Sequence, residues 1–405
     1  MKKDDNNGRF LFVLLSVLLL LFLAGCWDQR DIEELSFKVG EALDMGEPTQ
    51  LEQEFEKEDG KYKKRNLVTF TLQNVVPQAT GKGQQEIGGG QQKAYENISV
   101  TGDSIYQLLK ETALLDEHLP HGSHLKVVII GEELARNINL SNLINEYFRS
   151  LDVRESVNWF VAKGRAKDTL ETKKAGEIPS FRLIELVENR PITTRILPPV
   201  TLTKLLAQLA GDSSFLLQTV VAKEGEVKLV GAAVINGKTK KLLGYLDEED
   251  LEGIIWIAGE GKGGVVKSFY KDTDQLVVYK IDSMKSKIKA YVNEEDTISF
   301  DVKIQSEGTL IEDWVWPGNA FDNEFLKEAE KAIKKEVERL VRNVLEKMQD
   351  EYKVDVAGFG KRLRIQHPRV WEDIKEDWDK TFSDVAINYD IDITITDYSM
   401  LGSKK

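Results

Sequence analysis

The chain has 405 residues, of which 68 are Asp or Glu and 55 are Lys or Arg; its formal net charge of −13 argues against a nucleic-acid-binding role, which rests on cationic contacts to phosphate. Its length exceeds what one hydrophobic core usually organises, so two or three domains are expected. The single cysteine excludes internal disulfides, and the only long apolar run lies near the amino terminus, so no second segment is expected to span a bilayer.

That run comes first. Lys2, Lys3 and Arg9 precede fourteen residues, Phe10 to Leu23, broken only by Ser16, and Ala24 and Gly25 follow before Cys26. A basic head, a short apolar stretch and small residues make a secretory signal peptide, too short for a comfortable span of ~20 residues. Leu23-Ala24-Gly25-Cys26 also resembles the lipobox of bacterial prolipoproteins. There the cysteine thiol is the nucleophile that takes a diacylglyceryl group, and small residues before it let an extended backbone enter the peptidase. The resemblance implies a diacylglyceryl and N-acyl lipid on Cys26 and a mature chain held on an outer membrane face. At ~0.8 kcal/mol per buried CH₂, two acyl chains anchor effectively permanently. The alternatives are a plain signal peptide with a chance cysteine and an uncleaved anchor helix. The leader is net basic, so the mature chain is more acidic still and its own charge does not hold it to anionic lipid.

Trp27 to Leu35 is charged, with Ile32 and Leu35 at helical spacing, and reads as a short helix beside the bilayer. Trp27 suits the headgroup zone, and Trp27, Asp28 and Arg30 are candidate membrane-proximal contacts. Leu67 to Val76 reads as a strand, the Gly/Gln-rich stretch from Gln78 to Lys93 as a flexible loop, and Ile98 to Val100 as a strand followed by a helix capped by Thr101. Lys126 to Ile130 is an apolar strand turning at Gly131 into a helix. Another helix around Leu140 to Phe148, a strand at Val157 to Ala162 and a helical piece from Ala166 complete an α/β pattern. Pro179, Pro191, Pro198 and Pro199 punctuate the connection to the rest. Strands are expected at 219–222, 227–234 and 241–246, with a turn at Asn236-Gly237. A meander at 276–281, 287–292 and 298–305 precedes a long amphipathic helix from Asn323 to about Tyr352. Pro368 opens another helix, and a strand at 385–395 closes the chain.

Mixed α+β and α/β architecture follows, in three lobes of sheet flanked by helices, the C-terminal lobe a largely antiparallel sheet covered by the long helix. The expected divisions are a signal peptide at 1–25, an N-terminal α/β domain at 26–200, a middle β-rich domain at 201–270 and a C-terminal domain at 271–405.

Few residues suggest chemistry. His118, His121 and His124 stand three apart, but Pro120 and Gly122 make the stretch an irregular turn and no carboxylate or cysteine motif completes a metal shell. Gly259-Glu260-Gly261-Lys262-Gly263-Gly264 spells G-x-G-x-x-G after an apolar run, Ile254 to Ala258, that reads as a strand. The residues after it read as strand, whereas a dinucleotide loop must open a helix, so a hairpin turn is expected. Asp247 to Asp250 reads as a helix start. Trp314 and Trp316, before Pro317, read either as an exposed contact patch or, as the favoured expectation, as buried beneath the long helix. No G-x-S-x-G, H-E-x-x-H or P-loop occurs, so no catalytic residue, metal or cofactor is expected.

Taken in order, Gly25-Cys26-Trp27-Asp28 with Arg30, Ile32 and Leu35; Thr101-Gly102 with Ser104-Ile105; His124 and Lys126 leading into Gly131-Glu132-Glu133-Leu134-Ala135; Ala162-Lys163-Gly164; Gly231-Ala232-Ala233-Val234; Leu243-Gly244; Asp355 with Gly358-Phe359-Gly360; and Pro368, Trp371 and Trp378 resemble the Ger(x)C family, the lipoprotein C subunits of bacterial spore germinant receptors. Asp31, where the family often has Glu, and the Gln/Gly-rich loop depart from it. The resemblance implies a three-lobed, non-enzymatic protein on the outer face of the spore inner membrane. It would act with membrane-embedded A and B subunits in a receptor triggered by nutrients. The alternative is a solute-binding lipoprotein feeding an uptake transporter, whose two similar lobes this sequence does not echo.

Overall fold

The computed structural model describes residues 35–46, 54, 65–76, 93–116, 119–150, 152–316 and 322–398. Strands β1 (Leu35–Met45), β2 (Val68–Val75) and β3 (Tyr95–Gly102) lead into helix α1 (Ile105–Glu111) and the short β4 (Leu119–His121). Then come β5 (Val127–Gly131), α2 (Glu132–Asn137), α3 (Leu140–Arg149), β6 (Asn158–Ala162), α4 (Pro179–Glu188), α5 (Leu202–Ala210), β7 (Phe215–Lys223), β8 (Glu226–Ile235) and β9 (Leu242–Leu246). These strands form one nine-stranded sheet, ordered β3-β2-β1-β5-β6-β7-β8-β9, with β4 also paired to β1. Its centre, β1-β5-β6-β7, is parallel, and antiparallel hairpins flank it on both sides.

Central parallel strands need cover on both faces, and β5 reads as one apolar run for that reason. Val128 and Ile130 pack with Leu134, Ile144, Trp159 and Leu205 under α2, α3 and α5. Val127 and Ile129 face the other way, against Leu170, Leu183 and Val187 of the segment ending in α4.

Helix α6 (Glu248–Ala258) joins this sheet to the second. It begins with a capping box, Asp247 with Asp250, and ends at Gly259, whose φ of 68° satisfies a left-handed cap. Leu251, Ile255 and Trp256 are buried in a core shared with Ala232 and Val234 of β8 and with Tyr279, Phe300 and Val302 beyond. The expected strand at Ile254 to Ala258 is therefore the last turns of a helix. The run is apolar all round because α6 is covered on more than one side, which removes the periodicity that marks a surface helix.

The second sheet is β10 (Val265–Phe269), β11 (Leu276–Val292), β12 (Ile298–Asp313) and β13 (Ala386–Asp397), ordered β10-β11-β12-β13. β11 is a single strand where two were expected; irregularities in its pairing with β12, one of them between Ile281 and Ser283, are absorbed without ending it. The first two pairings are antiparallel, but β12 and β13 run parallel. The crossover between them carries α7 (Asn323–Glu346), α8 (Phe359–Gln366), α9 (Pro368–Ile374) and α10 (Trp378–Asp384), long enough to return the chain in the same direction. One face of β12 is buried under this layer and the other is exposed, in strict alternation.

Strands β7 to β9, expected in a middle domain, extend the first sheet, and β10 starts the second. Helix α7 continues in a wider turn, Lys347–Tyr352, which docks Tyr352 on β9. Its hydroxyl accepts from Tyr245 N (3.1 Å) and donates to Tyr245 O (2.8 Å), so a side chain covers an edge that would otherwise be open for pairing. Gly244 makes room: a Cβ there would sit 2.4 Å from the Tyr352 ring. Lys347–Asp250 (2.6 Å) and Arg339–Glu249 (2.9 Å) tie α7 to α6.

The N-cap of α1 is Ser104 rather than Thr101. Thr101 is still in β3, its hydroxyl 3.0 Å from that of Thr69 across the ladder.

Candidate functional site

Strand β1 enters the centre of the first sheet only nine residues after Cys26. The end where it starts is built from few residues. Leu35, Ser36 and Phe37 pair with Leu119, Pro120 and His121 of β4, and a short turn, Gly122–His124, leads on to β5. The ring of His124 meets Phe37 edge-on at 5.2 Å.

Just inside lies a buried ion pair. An irregularity between Lys38 and Gly40 in the β1–β2 pairing interrupts the strand's alternation and allows residues 38 and 41 to meet. Lys38 Nζ lies 2.7 Å from Glu41 Oε1, with side chains 3% and 1% exposed. Tyr147 of α3 donates to Glu41 Oε2 at 2.5 Å and stacks edge-on to Trp159 at 4.9 Å. Burial, then the charge of Glu41, pushes the Tyr147 hydroxyl well above its ordinary pKa, so it remains a donor. The pair is thus fixed on both sides, and α3 is bolted to β1.

Glu146, next along α3, is raised above the usual carboxylate range, first by burial and then by Glu41. A carboxyl whose folded pKa is raised takes stability away as pH rises through the unfolded and then the folded value. Glu146→Gln is therefore expected to raise the melting temperature at pH 7 and to change it little near pH 3, where both states of the wild type are protonated. Melts at the two pH values check this.

The opposite end holds a cleft of about 360 Å³ at the ends of β1, β5 and β6. The chain leaves β1 towards β2 and leaves β5 towards β6, so this is a topological switch point, the usual place for ligands in α/β sheets. Three of its polar side chains, Asp44, Glu132 and Arg136, are engaged within the protein. Asp44 accepts from the amides of Ala166 (2.6 Å) and Lys167 (2.9 Å), Glu132 pairs with Arg136 (2.9 Å) and accepts from Gly164 N (3.2 Å), and Arg136 also donates to Leu243 O. Burial raises the Asp44 pKa against those amides. Gly131 is required here, since a Cβ would lie 2.1 Å from Asp44 Oδ1. The arrangement braces three strand ends and shows no nucleophile beside a base.

In the second half, Asp355 is buried. Its carboxylate accepts from the amides of Ala357 (3.1 Å), Gly358 (2.8 Å) and Gly360 (2.7 Å) and from Trp378 Nε1 (3.2 Å). Gly358, at φ 86°, supplies the left-handed turn that lets consecutive amides converge on it. Burial raises the Asp355 pKa, opposed by the amides of Gly360, Phe359 and Gly358 and by the Trp378 indole. Phe300, Phe359, Trp378 and Phe382 pack around the turn at ring separations of 5.1 to 6.3 Å.

Leu23, Ala24, Gly25, Cys26, Trp27, Asp28 and Arg30 lie outside the described residues, as do His118 and the stretch 77–92. Among the described residues no group of three His, Cys, Asp or Glu is placed to hold a metal, and no helix is long and apolar enough to cross a membrane. The Gly-rich stretch joins α6 to β10 rather than two strands of a hairpin. Its glycines serve packing: a Cβ on Gly263 would lie 1.9 Å from Pro191 O. Trp314 and Trp316, for which burial beneath the long helix is the favoured expectation, are 63% and 59% exposed just past the end of β12, where Trp314 N donates to Leu276 O of β11. Sequence reading missed the Lys38–Glu41–Tyr147 cluster, because β1 itself went unread.

Two unlike sheets joined through one helix, with buried charges that brace strands, define a mixed α+β protein. Comparison with known proteins gives it a place. The family described as "Spore germination protein N-terminal domain" matches residues 28–222, and "Spore germination B3/ GerAC like, C-terminal" matches residues 230–399. Spore germination protein YndF of Bacillus subtilis (strain 168) is 45% identical over 99% of this chain and 100% of its own length. Spore germination proteins A3 and B3 of the same organism are 31% and 30% identical, covering 97% and 95% of this chain and 99% and 96% of their own. The crystal structure of the GerBC protein matches with a TM-score of 0.60 at 26% identity, over 90% of this chain and all of that one. The chain belongs to the Ger(x)C family of spore germination proteins.

Proposed function

We propose that this chain is the lipid-anchored, non-enzymatic C subunit of a nutrient-responsive germinant receptor, held by Cys26 on the outer face of the spore inner membrane. There it acts with membrane-embedded A and B subunits. The observation that carries the reading is the order of parts: a lipobox ending at Cys26, then both spore germination domains through residue 399. The internally paired charges support a subunit that transmits or scaffolds rather than one that turns over a substrate. Trp27, Asp28 and Arg30, next to the anchor, are proposed to set how the folded part stands on the bilayer. The exposed Trp314 and Trp316 offer a second contact face, since large aromatic residues are enriched at interface anchors.

A solute-binding lipoprotein would present two similar lobes about a cleft, and the two sheets here differ in strand number and topology. In spores dependent on this receptor, Cys26→Ala is expected to abolish nutrient-triggered germination and to leave the chain uncut or absent from spore membranes. Germination assays with membrane fractionation check this. Unchanged germination with the chain free of the membrane refutes the proposal, and tight binding of a nutrient by the purified chain favours the solute-binding reading.

A further inference from the structure

Helix α1 ends in a single tight turn, Thr112–Leu114. The turn is firmly built. Thr112 is fully buried and donates to Leu109 O at 2.7 Å, and the amides of Leu115 and Asp116 both return to Thr112 O, at 3.0 and 2.9 Å. Asp116 accepts from Asn74 Nδ2 at 2.8 Å, and Asn74 stands opposite Lys38 in the β1–β2 ladder. Yet Leu114 is 84% exposed and Leu115 60% exposed. A turn tied down at four points holds two neighbouring leucines out in solvent.

Its position gives the reason. Asp116 is three residues before Leu119, which pairs with Leu35, the first residue of β1. Leu35 follows Cys26 by nine residues, which reach at most ~32 Å when fully extended at ~3.5 Å each. The leucines therefore project from the end of the sheet that the anchor tethers, whereas α2 and the cleft lie at the other end of β1, an eleven-residue strand.

From this geometry we infer that Leu114 and Leu115 are a second membrane contact, resting in the boundary between headgroups and acyl chains of the bilayer that holds Cys26. The inference rests on the lipid-anchor reading above. The anchor supplies attachment; the leucines fix orientation, converting a swinging tether into a two-point stance that directs the C-terminal end of α1 and the β1–β4 end at the membrane. Apolar side chains at such a boundary sit ~5–10 Å deep, within reach of quenchers on the acyl chains.

The test uses the full-length lipidated protein with Leu114→Cys carrying a nitrobenzoxadiazole label. The vesicles are phosphatidylglycerol and phosphatidylethanolamine with nitroxide-bearing acyl chains. A lipidated Cys26 has its sulfur in a thioether and does not react, so the label marks residue 114 alone. Glu133→Cys, exposed on α2 at the far end, is the control, and Leu115→Cys repeats the measurement one residue on. The expected result is loss of about half or more of the emission at 114 and 115, with a blue shift, and none at 133. Membrane-bound protein whose label at 114 and 115 is as unquenched as at 133 overturns the inference and leaves the anchor standing. Burial of the label only when membrane-embedded receptor subunits are added, without quenching by lipid, overturns it in favour of a protein contact. Label incorporated at Cys26 itself shows the anchor to be missing and overturns both.

Discussion

Lys38→Met is expected to lower the unfolding free energy by about 4 kcal/mol, among the largest effects of any single change in the first sheet. The substitution keeps the aliphatic bulk and removes the charge, leaving the Glu41 carboxylate buried with only the Tyr147 hydroxyl to meet it. An uncompensated buried charge is penalised far more than the intact pair is rewarded. The double change Lys38→Met with Glu41→Gln is therefore expected to recover most of the loss, because Tyr147 still finds an acceptor in the glutamine oxygen. Chemical denaturation of wild type, single and double variants decides it. A single variant within 1 kcal/mol of wild type would mean that water reaches the pair.

Asp355→Ala is expected to lower stability by a similar amount, about 4 kcal/mol, by a different route. No partner charge is involved; what is lost is the acceptor for three backbone amides and an indole N–H inside an aromatic core. Asp355→Asn keeps one acceptor oxygen but turns an NH₂ group towards donors, so it is expected to recover only part of the loss. The Trp378 emission should shift to the red as Asp355→Ala loosens the turn. Unfolding curves followed by tryptophan fluorescence read both effects.

These two sites show where sequence reading succeeds and fails. Strands such as β5 and β12 are legible because apolar runs and strict alternation report one or two covered faces directly. Strand β1 is not, although it is the centre of the first sheet. Lys38, Glu41 and Asp44 break its pattern; Lys38 is buried against Glu41, and the two acids find partners far along the chain: Tyr147 for Glu41, the amides of Ala166 and Lys167 for Asp44. Pairing at such separations leaves no local trace. Helix α6 carried a usable signal in Asp247, Asp250 and Gly259, a cap at each end, which outweighs the uniform apolar run between them. The cluster at Asp355, Gly358, Gly360 and Trp378 was visible only as a family resemblance; its physical basis, amides converging on one carboxylate, appears only in three dimensions. Trp314 and Trp316 show the reverse case, large aromatic residues that hydropathy assigns to the core and the fold leaves outside.

The fold brings the start of β1 and the exposed Leu114 and Leu115 to one end and a braced cleft to the other, which suits a subunit that stands on a membrane and relays contacts across a stiff sheet. Everything in that account depends on the sulfur of Cys26. The most direct measurement is the mass of the amino-terminal tryptic peptide, Cys26 to Arg30, from the chain purified out of spore membranes. The account predicts a peptide that begins at Cys26 and carries a diacylglyceryl thioether. A mature terminus at any other residue, or a Cys26 with a free thiol, would contradict it.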